Sequence, residues 1–547
     1  MPRRSSRLAL TVLSFGAIAV LALSGCSGDV EKSNSSSTPV AGGTAVYAID
    51  TPLNSFDPNV AAAAQDARVM RQMYDSLVAL DDQRVPTPWL ATTWDVSGDG
   101  LTYTFTVRDD VVFHDGTPFN AQAVCFNLDR IKNPSSASIY AIGLIGPYAS
   151  CAAPNATTAI VTLSAPYAPL INNLSSPFLG MVSPTAAQSM SLADFAIHPV
   201  GSGPFVFESY TPNDRLVLKK NATYAWAPAN ATHQGPAYLD SLTFQIIPDA
   251  TVRLGSLRSG EVQGIGNVPE TDAASVTQDP GLTFYAQAQS GSPFQLNFNT
   301  ARAPFDDQAV RAAIREGMNI DAAVKALYFG VYQRAWGPLS PTTGSYDASV
   351  EGSFDFDAAA AGAALDKAGW KLGSDGIRAK DGVPLTISYL ESTPNREKRQ
   401  DIAEFLKANL ADIGVQVNIR LAQVAELQAA LQAGDYDIAG LSLVSVDPNV
   451  LYSLYSPQFI GSPGRNGFNF TRVNDPGLAG KILQAQQELD QTKRDALYSQ
   501  IQKSVIDQAL SVAIYVPTYT VATNGLNGLR FDAEGYPVFF DSYLSSK

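Results

Sequence analysis

The sequence predicts an α/β protein of at least two packed units, and three observations lead to that prediction. The chain has 547 residues, which exceeds the size at which a single hydrophobic core stops growing. Its composition, 45% hydrophobic and 16% charged, is that of a folded globular protein. The third observation is a change near residue 290 from strand-like alternation to strands that alternate with helices.

The segment from 43 to about 289 is rich in strand patterns. Apolar and polar residues alternate from Leu101 to Val107, directly after a glycine-rich turn at 98–100, and this pattern predicts a half-buried strand. An amphipathic helix is predicted before that strand, because apolar residues recur there at helical spacing. The residues that show this spacing are Val69, Met73, Leu77 and Leu80.

Strands and helices alternate in the second half of the chain. Asp306 or Asp307 can cap a first helix. After it we expect a strand over 385–389, a helix that ends at Gly414, a strand over 415–421, a helix over 426–431 and a strand over 436–444. This order is typical of a parallel sheet covered on both faces. The change of pattern near residue 290 therefore predicts a domain boundary.

The net charge of -14 argues against a nucleic-acid-binding protein, which would carry a basic stripe on one face. An acidic chain also gains nothing from anionic lipid headgroups. Any attachment to a membrane must therefore be covalent or hydrophobic.

The N-terminus carries the features of a secretory leader. A basic start is followed by an apolar run from Leu8 to Leu23 that is short for a bilayer span. The residues Leu23-Ser24-Gly25-Cys26 resemble the lipobox of bacterial lipoproteins, in which the cysteine is lipidated and becomes the first mature residue. We therefore expect a signal peptide over 1–25, lipidation of Cys26 and a flexible tether over 26–42. A plain signal peptide with an incidental cysteine is the alternative.

Two further cysteines, Cys125 and Cys151, form an even pair in an oxidising compartment, where they can be bridged or remain as two buried thiols. The chain has three dispersed histidines, whose spacing does not suit a histidine-rich metal site. The sequence predicts no metal and no cofactor.

Several segments in sequence resemble family 5 extracytoplasmic solute-binding proteins, the receptors of dipeptide, oligopeptide and nickel ABC importers. The resemblance starts at LATTW (90–94) and SGDGLTYTFTVRDDVVFHDGTPFNAQAVCFNLDR (97–130). It continues in VGSGPFVFESY (200–210), LVLKKNATYAW (216–226), RLGSLRSGEVQGI (253–265), LNFNTARAPFDDQAVRAAI (296–314) and DPNVL (447–451). The segments extend over nearly the whole mature chain in the family's order.

The resemblance implies a two-lobed type II periplasmic-binding-protein fold with an extra subdomain in lobe I. Lobe I would comprise 43–290, with the subdomain at about 76–195, and a C-terminal return over 510–547, whereas lobe II would comprise 291–509. The hinge would consist of crossovers near 290–297 and 508–515. A solute would bind between the lobes, and the closed receptor would dock on an ABC permease driven by ATPase subunits.

The segment around the Asp447-Pro448 turn carries the information on the solute. An apolar strand that runs into this turn places Leu443, Val444 and Asp447 at the carboxyl end of a parallel sheet, where ligands of α/β proteins usually bind. The resemblance implies that peptide receptors carry at position 444 an aspartate that pairs with the peptide amino terminus. Valine there argues against peptides with a free amine, because a buried ammonium needs an opposite charge. Asp447 can instead cap the following turn.

Other candidate ligand contacts are aromatic or polar side chains suited to a neutral solute. Aromatic faces stack on sugars or apolar groups, and amides and guanidinium groups supply polar contacts. These candidates are Phe56, Trp336, Tyr452, Phe468, Asn297, Asn299 and Arg465. Each aromatic residue has core packing or surface exposure as its alternative role.

The functional prediction is a monomeric, lipid-anchored receptor on the outer face of the bacterial cell membrane, which captures an oligosaccharide, a modified peptide or a peptide for import. A di- or oligopeptide receptor and a solute-sensing signalling lipoprotein are the alternatives. A nickel chelate is a weaker option, because such a solute would favour histidine, methionine or carboxylate contacts. The sequence carries no GxSxG elbow, HExxH helix or Cys-His pair, so we predict no enzyme activity.

Overall fold

The structure, a computed structural model, describes residues 39–133 and 140–545. The predicted signal peptide, the lipidation site Cys26 and most of the predicted tether lie outside the described residues. None of the helices in the described ranges combines the length and the hydrophobicity that a bilayer span requires.

A seven-stranded mixed sheet forms the first structural layer. Across the sheet its strands are Leu282–Ala288, Thr518–Asn524, Gly264–Gly266, Thr44–Ile49, Ser241–Ile246, Arg215–Lys220 and Phe205–Thr211. The central strand Thr44–Ile49 is parallel to both of its neighbours. A four-stranded antiparallel sheet is inserted along the chain and consists of Ala91–Val96, Thr102–Val107, Thr158–Leu163 and Tyr148–Asn155. The strand predicted after the turn at 98–100 is thus confirmed. We call the part built on these two sheets lobe I.

A five-stranded sheet forms the centre of the other part, which we call lobe II. Its order is Gln416–Ala422, Thr386–Ser392, Ile438–Val444, Gly291–Phe298 and Ser511–Tyr515. The first three strands are parallel, as the sequence predicts, whereas Gly291–Phe298 runs antiparallel to both of its neighbours. The sheet is parallel where helices connect its strands and antiparallel where the chain enters from lobe I.

Helices pack against these sheets, and the small strand pairs lie at their margins. The α-helices are Ala64–Met73, Ala121–Lys132, Ala141–Leu144, Leu170–Asn173, Pro184–Ser189, Leu192–Phe195, Ala250–Ser259, Ala273–Gln278, Gln308–Glu316, Ile320–Tyr328, Ala358–Lys367, Arg399–Asp412, Val424–Ala433, Val450–Tyr455, Pro476–Gln487 and Gln491–Asp507. Within the described ranges, Pro177–Leu179, Ala348–Val350 and Pro457–Phe459 form short 3₁₀ helices. Three small sheets have two strands each and pair Val78–Leu80 with Pro86–Pro88, Leu526–Asn527 with Tyr543–Leu544, and Arg530–Phe531 with Pro537–Val538. A further small sheet has three strands in the order Lys371–Leu372, Arg378–Lys380 and Val383–Pro384.

Local signals in lobe II place its helix ends correctly. The side chain of Asp307 accepts a hydrogen bond from the backbone N–H of Ala309 and caps Gln308–Glu316. The helix Arg399–Asp412 ends just before Gly414, whose φ of +80° suits a residue without a Cβ atom.

The helix predicted over Val69 to Leu80 is too long. The helix ends at Met73, because Tyr74 adopts an extended conformation, and Leu80 belongs to a strand. Asp75, directly after the helix, is buried and accepts hydrogen bonds from Ser202 and Trp226 at 2.9 and 2.8 Å. These distant contacts hold the chain outside the helical path, although the apolar spacing continues.

The chain passes between the two large sheets twice. The first passage is at Gln289 and Ser290, between the strands Leu282–Ala288 and Gly291–Phe298. The sequence predicts the second passage within 508–515, but Ser511–Tyr515 still belongs to the lobe II sheet. The chain therefore changes sheets at Val516 and Pro517.

The sulfur atoms of Cys125 and Cys151 are bonded to each other in the structure. The bond joins the helix Ala121–Lys132 to the strand Tyr148–Asn155 within lobe I.

Candidate functional site

A cavity of about 430 Å³ lies where a loop of lobe II meets lobe I. Lobe II contributes Val446 to its wall, and lobe I contributes, among others, Arg71, Trp89, Asp532 and Glu534. Concave sites of this size with aromatic walls and a few charged groups typically bind small molecules. The cavity is therefore the candidate solute site.

Val446 reaches the cavity because of the topology of lobe II. The strand Ile438–Val444 is parallel to Thr386–Ser392, so both strands have their carboxyl ends at the same edge of the sheet. The chain leaves the strand at Val444 and enters the loop that contains Val446. Ligands of open α/β sheets bind beyond this edge, so the topology and the position of the cavity agree.

A hairpin near the C-terminus brings two carboxylates to the cavity. The strands Arg530–Phe531 and Pro537–Val538 are antiparallel, and the turn between them contains Asp532 and Glu534. Asp532 accepts hydrogen bonds from the backbone N–H groups of Glu534 and Tyr536 at 3.0 and 2.9 Å. The turn also needs Gly535, whose φ of +82° is unfavourable for other residues.

Arg71 neutralises the first of these carboxylates. Its Nε lies 2.9 Å from Oδ2 of Asp532, and its other nitrogens donate to the Ser76 hydroxyl at 3.1 Å and to the backbone carbonyl of Ser175 at 2.6 Å. Each nitrogen of this buried guanidinium group thus donates to a protein oxygen. Asp532 and Arg71 together add no net charge to the cavity wall.

Glu534 has no such cation. Its side chain is 3% exposed, and its carboxylate accepts a hydrogen bond from the hydroxyl of Ser176 at 3.1 Å. Among the described residues no lysine, arginine or histidine forms an ion pair with it. Burial and the nearby charge of Asp532 raise the pKa of Glu534 to about 8, although Arg71 acts in the opposite direction.

Arg84 adds a positive group to the same wall. It lines the cavity, and within the ranges that the structure describes its buried Nη1 atom has no hydrogen-bond partner. Desolvation lowers the pKa of this guanidinium group, and the charge of Asp532 opposes that effect. The wall therefore presents both an unpaired acid and a donor without an acceptor.

Lobes I and II touch on either side of this region. The hydroxyl of Tyr140 donates to the backbone carbonyl of Val444 at 2.7 Å. Farther along the interface, Nζ of Lys398 in lobe II lies 3.2 Å from a carboxylate oxygen of Glu270 in lobe I. These two contacts join lobe I to lobe II in the structure.

Comparison with known proteins identifies the family. Residues 85–462, which are more than half of the chain, match the model of the bacterial extracellular solute-binding proteins, family 5. The chain belongs to this family. Among its family 5 relatives, the glutathione-binding protein GsiB of Salmonella typhimurium is 30% identical over 398 residues, which cover 73% of each chain.

Similarity to solved structures confirms the predicted two-lobed type II periplasmic-binding-protein fold for this family 5 protein. The periplasmic binding protein DppA of Helicobacter pylori, in complex with the peptide STSA, superposes with a TM-score of 0.76 at 26% identity and covers 93% of this chain and 99% of its own. NikA of Brucella suis, in complex with Fe(III)-EDTA, has a TM-score of 0.80 at 22% identity and covers 92% and 100%. At that lower identity the likeness concerns the fold alone.

The predicted ligand residues around the Asp447-Pro448 turn flank Val446 in the sequence, but Val446 is the residue of this loop that lines the cavity. Val444 is partly buried against the hydrophobic core of lobe I, and Leu443 is partly buried against a lobe II cluster. Asp447 is fully buried, and its carboxylate pairs with Arg494 and accepts the backbone N–H of Asn449 at 2.8 Å. The turn-capping alternative thus describes Asp447, whose oxygens are engaged within the protein.

The two predicted asparagines hold the lobe II sheet together. Asn297 donates to the backbone carbonyl of Ala439 at 3.2 Å, and Asn299 donates to that of Tyr436 at 2.9 Å. Both side chains are buried. Their amides are therefore engaged with backbone carbonyls of the strand Ile438–Val444 and of the segment just before it, and neither asparagine lines the cavity.

The remaining predicted ligand residues also have roles within the fold. Phe56 packs in the core of lobe I against Tyr210, and Trp336 contacts Phe354 and Arg334. Tyr452 and Phe468 are partly buried against a lobe II cluster. The exposed Arg465 donates to the backbone carbonyls of Gln458 and Ile460. As contacts of a solute, all ten predicted residues remain predictions.

Sequence reasoning does not single out the charged residues of the cavity. Glu534 lies in the segment FDAEGYP, which resembles any polar turn. The one usable signal is that the acidic turn is followed by the apolar residues Val538, Phe539 and Phe540, two of which are buried. An acidic hairpin next to a buried segment is a reason to look for an enclosed carboxylate.

Proposed function

We propose that this family 5 protein is the solute-binding receptor of an ABC importer, which encloses a small solute between its lobes and delivers it to a permease driven by ATPase subunits. The observation that carries the proposal is the cavity of about 430 Å³ to which both lobes contribute. A solute there would touch both lobes, and a ligand can stabilise a closed state only through contacts that the open state lacks.

The solute class that we propose is a small peptide or a peptide-derived compound. The name of the Salmonella relative and the bound peptide of the Helicobacter protein support this class. The mixture of aromatic and charged groups on the cavity wall also suits a molecule with polar ends and an apolar middle. Oligosaccharides, which the sequence also suggests, would be expected to need fewer charged partners.

The proposal includes a lipid anchor at Cys26 on the outer face of the cell membrane. The basis is the leader sequence followed by Leu23-Ser24-Gly25-Cys26. The tether after this cysteine would keep the receptor near its permease. Mass spectrometry of the protein extracted from membranes tests this part, and an unmodified Cys26 would refute it.

Thermal unfolding of the mature protein from Ser27 onward tests the receptor function. The probes are trialanine, glutathione and maltotriose. A ligand at 100 times its dissociation constant adds about 2.7 kcal/mol to the stability of the native state, which gives a clear shift in the unfolding temperature. We expect a shift with at least one peptide probe and no chemical change in that probe. Turnover of the bound probe, or no shift with any of the three, would contradict the proposal.

A further inference from the structure

We infer that Glu534 is the carboxylate that binds a positively charged amino group of the solute in the cavity between the lobes. The inference rests on the proposed receptor function and adds to it the chemical group that is recognised. Neither the likeness to relatives nor the sequence patterns point to this residue. It emerges from the charges that surround the cavity.

The position of Glu534 suits recognition. The residue lines the cavity at the tip of a hairpin whose conformation is held by hydrogen bonds from the backbone to Asp532. The Ser176 hydroxyl orients the carboxylate with a hydrogen bond of 3.1 Å. A carboxylate held in this way loses little further conformational freedom when a ligand binds.

The charge balance leaves Glu534 without a counter-ion. The charged and titratable groups that face it are Asp532 and Tyr536 of its own hairpin, Arg71 of the helix Ala64–Met73, and Tyr140. Arg71 is engaged by Asp532, Ser76 and Ser175, and the phenols are neutral. Arg84, on the same wall, interacts with the charge of Asp532. Among the described cations, none forms an ion pair with Glu534.

A buried carboxylate without an ion-pair partner has two ways to avoid an isolated charge. It can take up a proton, or it can pair with a cation. In the free receptor burial and Asp532 favour the proton, which is why the pKa of Glu534 is raised to about 8. An ammonium group of the solute favours the ionised form, so it would displace that proton. Binding of an amine should therefore release about one proton below pH 8.

This recognition changes the expectation drawn from Val444. Valine at that position argues against a free amine only if no other carboxylate reaches the solute. Tyr140 donates to the carbonyl of Val444, and burial together with the charge of Glu534 raises the pKa of its phenol, so this side chain lies near both residues. The acid missing from the lobe II loop is thus present on the lobe I side of the same region.

The experiment compares trialanine with N-acetyltrialanine by isothermal titration calorimetry at pH 8. The proteins are the wild type, Glu534→Gln and, as a matched control, Glu208→Gln, whose residue is exposed on the strand Phe205–Thr211. We expect the wild type and the control to bind the free amine at least tenfold more tightly than the acetylated peptide. In Glu534→Gln this preference should disappear. Circular dichroism verifies that each variant is folded.

The outcomes separate the two proposals. Equal affinity of the wild type for both peptides, or a preference that persists in Glu534→Gln, overturns the role of Glu534 and leaves the receptor function intact. Binding of maltotriose alone overturns the role of Glu534 and the peptide class, but the receptor function stands. Failure of the wild type to bind any probe counts against the receptor function itself. The comparison within the wild type needs no variant, so it remains decisive if Glu534→Gln does not fold.

Discussion

Asp447 and Arg494 form a buried ion pair in which the guanidinium Nη2 lies 2.6 Å and Nη1 lies 3.1 Å from the two carboxylate oxygens. Asp447 is 1% exposed, and its carboxylate also accepts hydrogen bonds from Asn449 and Asn172. The pair fastens the loop after the strand Ile438–Val444 to the helix Gln491–Asp507. This loop forms the lobe II wall of the cavity, so the ion pair positions the wall.

Removal of one member of this pair should destabilise the protein strongly. Asp447→Ala leaves the Arg494 guanidinium buried without its counter-ion, which typically costs about 3–5 kcal/mol. Urea unfolding followed by circular dichroism measures this loss. Asp447→Asn retains an oxygen that can accept the hydrogen bond in the turn, so this variant should lose less stability than Asp447→Ala. Unchanged stability together with weaker solute binding would instead make Asp447 a ligand contact.

The stability of the free protein should depend on pH through Glu534. Its pKa rises on folding from an ordinary value of 4.5 to about 8, so the folded state holds a proton that the unfolded state has lost between these values. Stability contributed by this group therefore falls as pH rises from about 4.5 to 8 and is constant above that range. Glu534→Gln lacks this penalty and should be more stable than the wild type at pH 8 but not at pH 4. Thermal unfolding across this range measures the difference, and parallel curves would contradict the raised pKa.

The ion pair between Lys398 and Glu270 should favour closure. It joins the two lobes at 3.2 Å but is partly exposed, so its contribution is about 0.2–1 kcal/mol. Glu270→Gln should weaken the binding of trialanine by up to about fivefold and increase the mean radius of gyration in small-angle X-ray scattering. The exposed Glu261→Gln serves as the control. Equal affinity of the two variants would show that the pair does not contribute to closure.

Loss of the bond between Cys125 and Cys151 should lower stability without abolishing binding. The bond closes a loop with a sequence separation of 26, for which the chain-entropy model gives about 3.5 kcal/mol. The double variant Cys125→Ser, Cys151→Ser should unfold at lower urea concentration than the wild type. Both cysteines lie away from the cavity wall, so calorimetry should give an unchanged affinity. Equal stability of the variant would mean that the bond adds little in solution.

Much of the local structure could be predicted from the sequence, because the relevant signals lie within a few residues of each other. The strand after the turn at 98–100, the cap at Asp307 and the helix end before Gly414 depend on neighbouring side chains. The prediction of a helix over Val69 to Leu80 is wrong because the signal that ends the helix is not local. Its end is set by the contacts of Asp75 with Ser202 and Trp226, which are distant in sequence.

The candidate site depends even more on distant contacts. Six of the ten predicted ligand residues have aromatic or amide side chains, and a hydrophobic core or a sheet also uses such side chains. Phe56 packs in the core, and Asn297 is bonded to the neighbouring strand. A side chain's chemistry is local information, but whether it faces a core or a cavity depends on what packs against it.

The sequence by itself determined the α/β class, the alternation of strands and helices in lobe II and the two-lobed family, because these follow from periodic patterns and from segments in a set order. The tertiary structure alone decided which charges are paired. Asp532 and Glu534 are two residues apart in one turn and are equivalent as acids, yet folding brings Arg71, 461 positions away, to the first and leaves the second without a cation. The difference arises because burial and pairing are set by the packing of distant segments, and those two quantities decide what a carboxylate can bind.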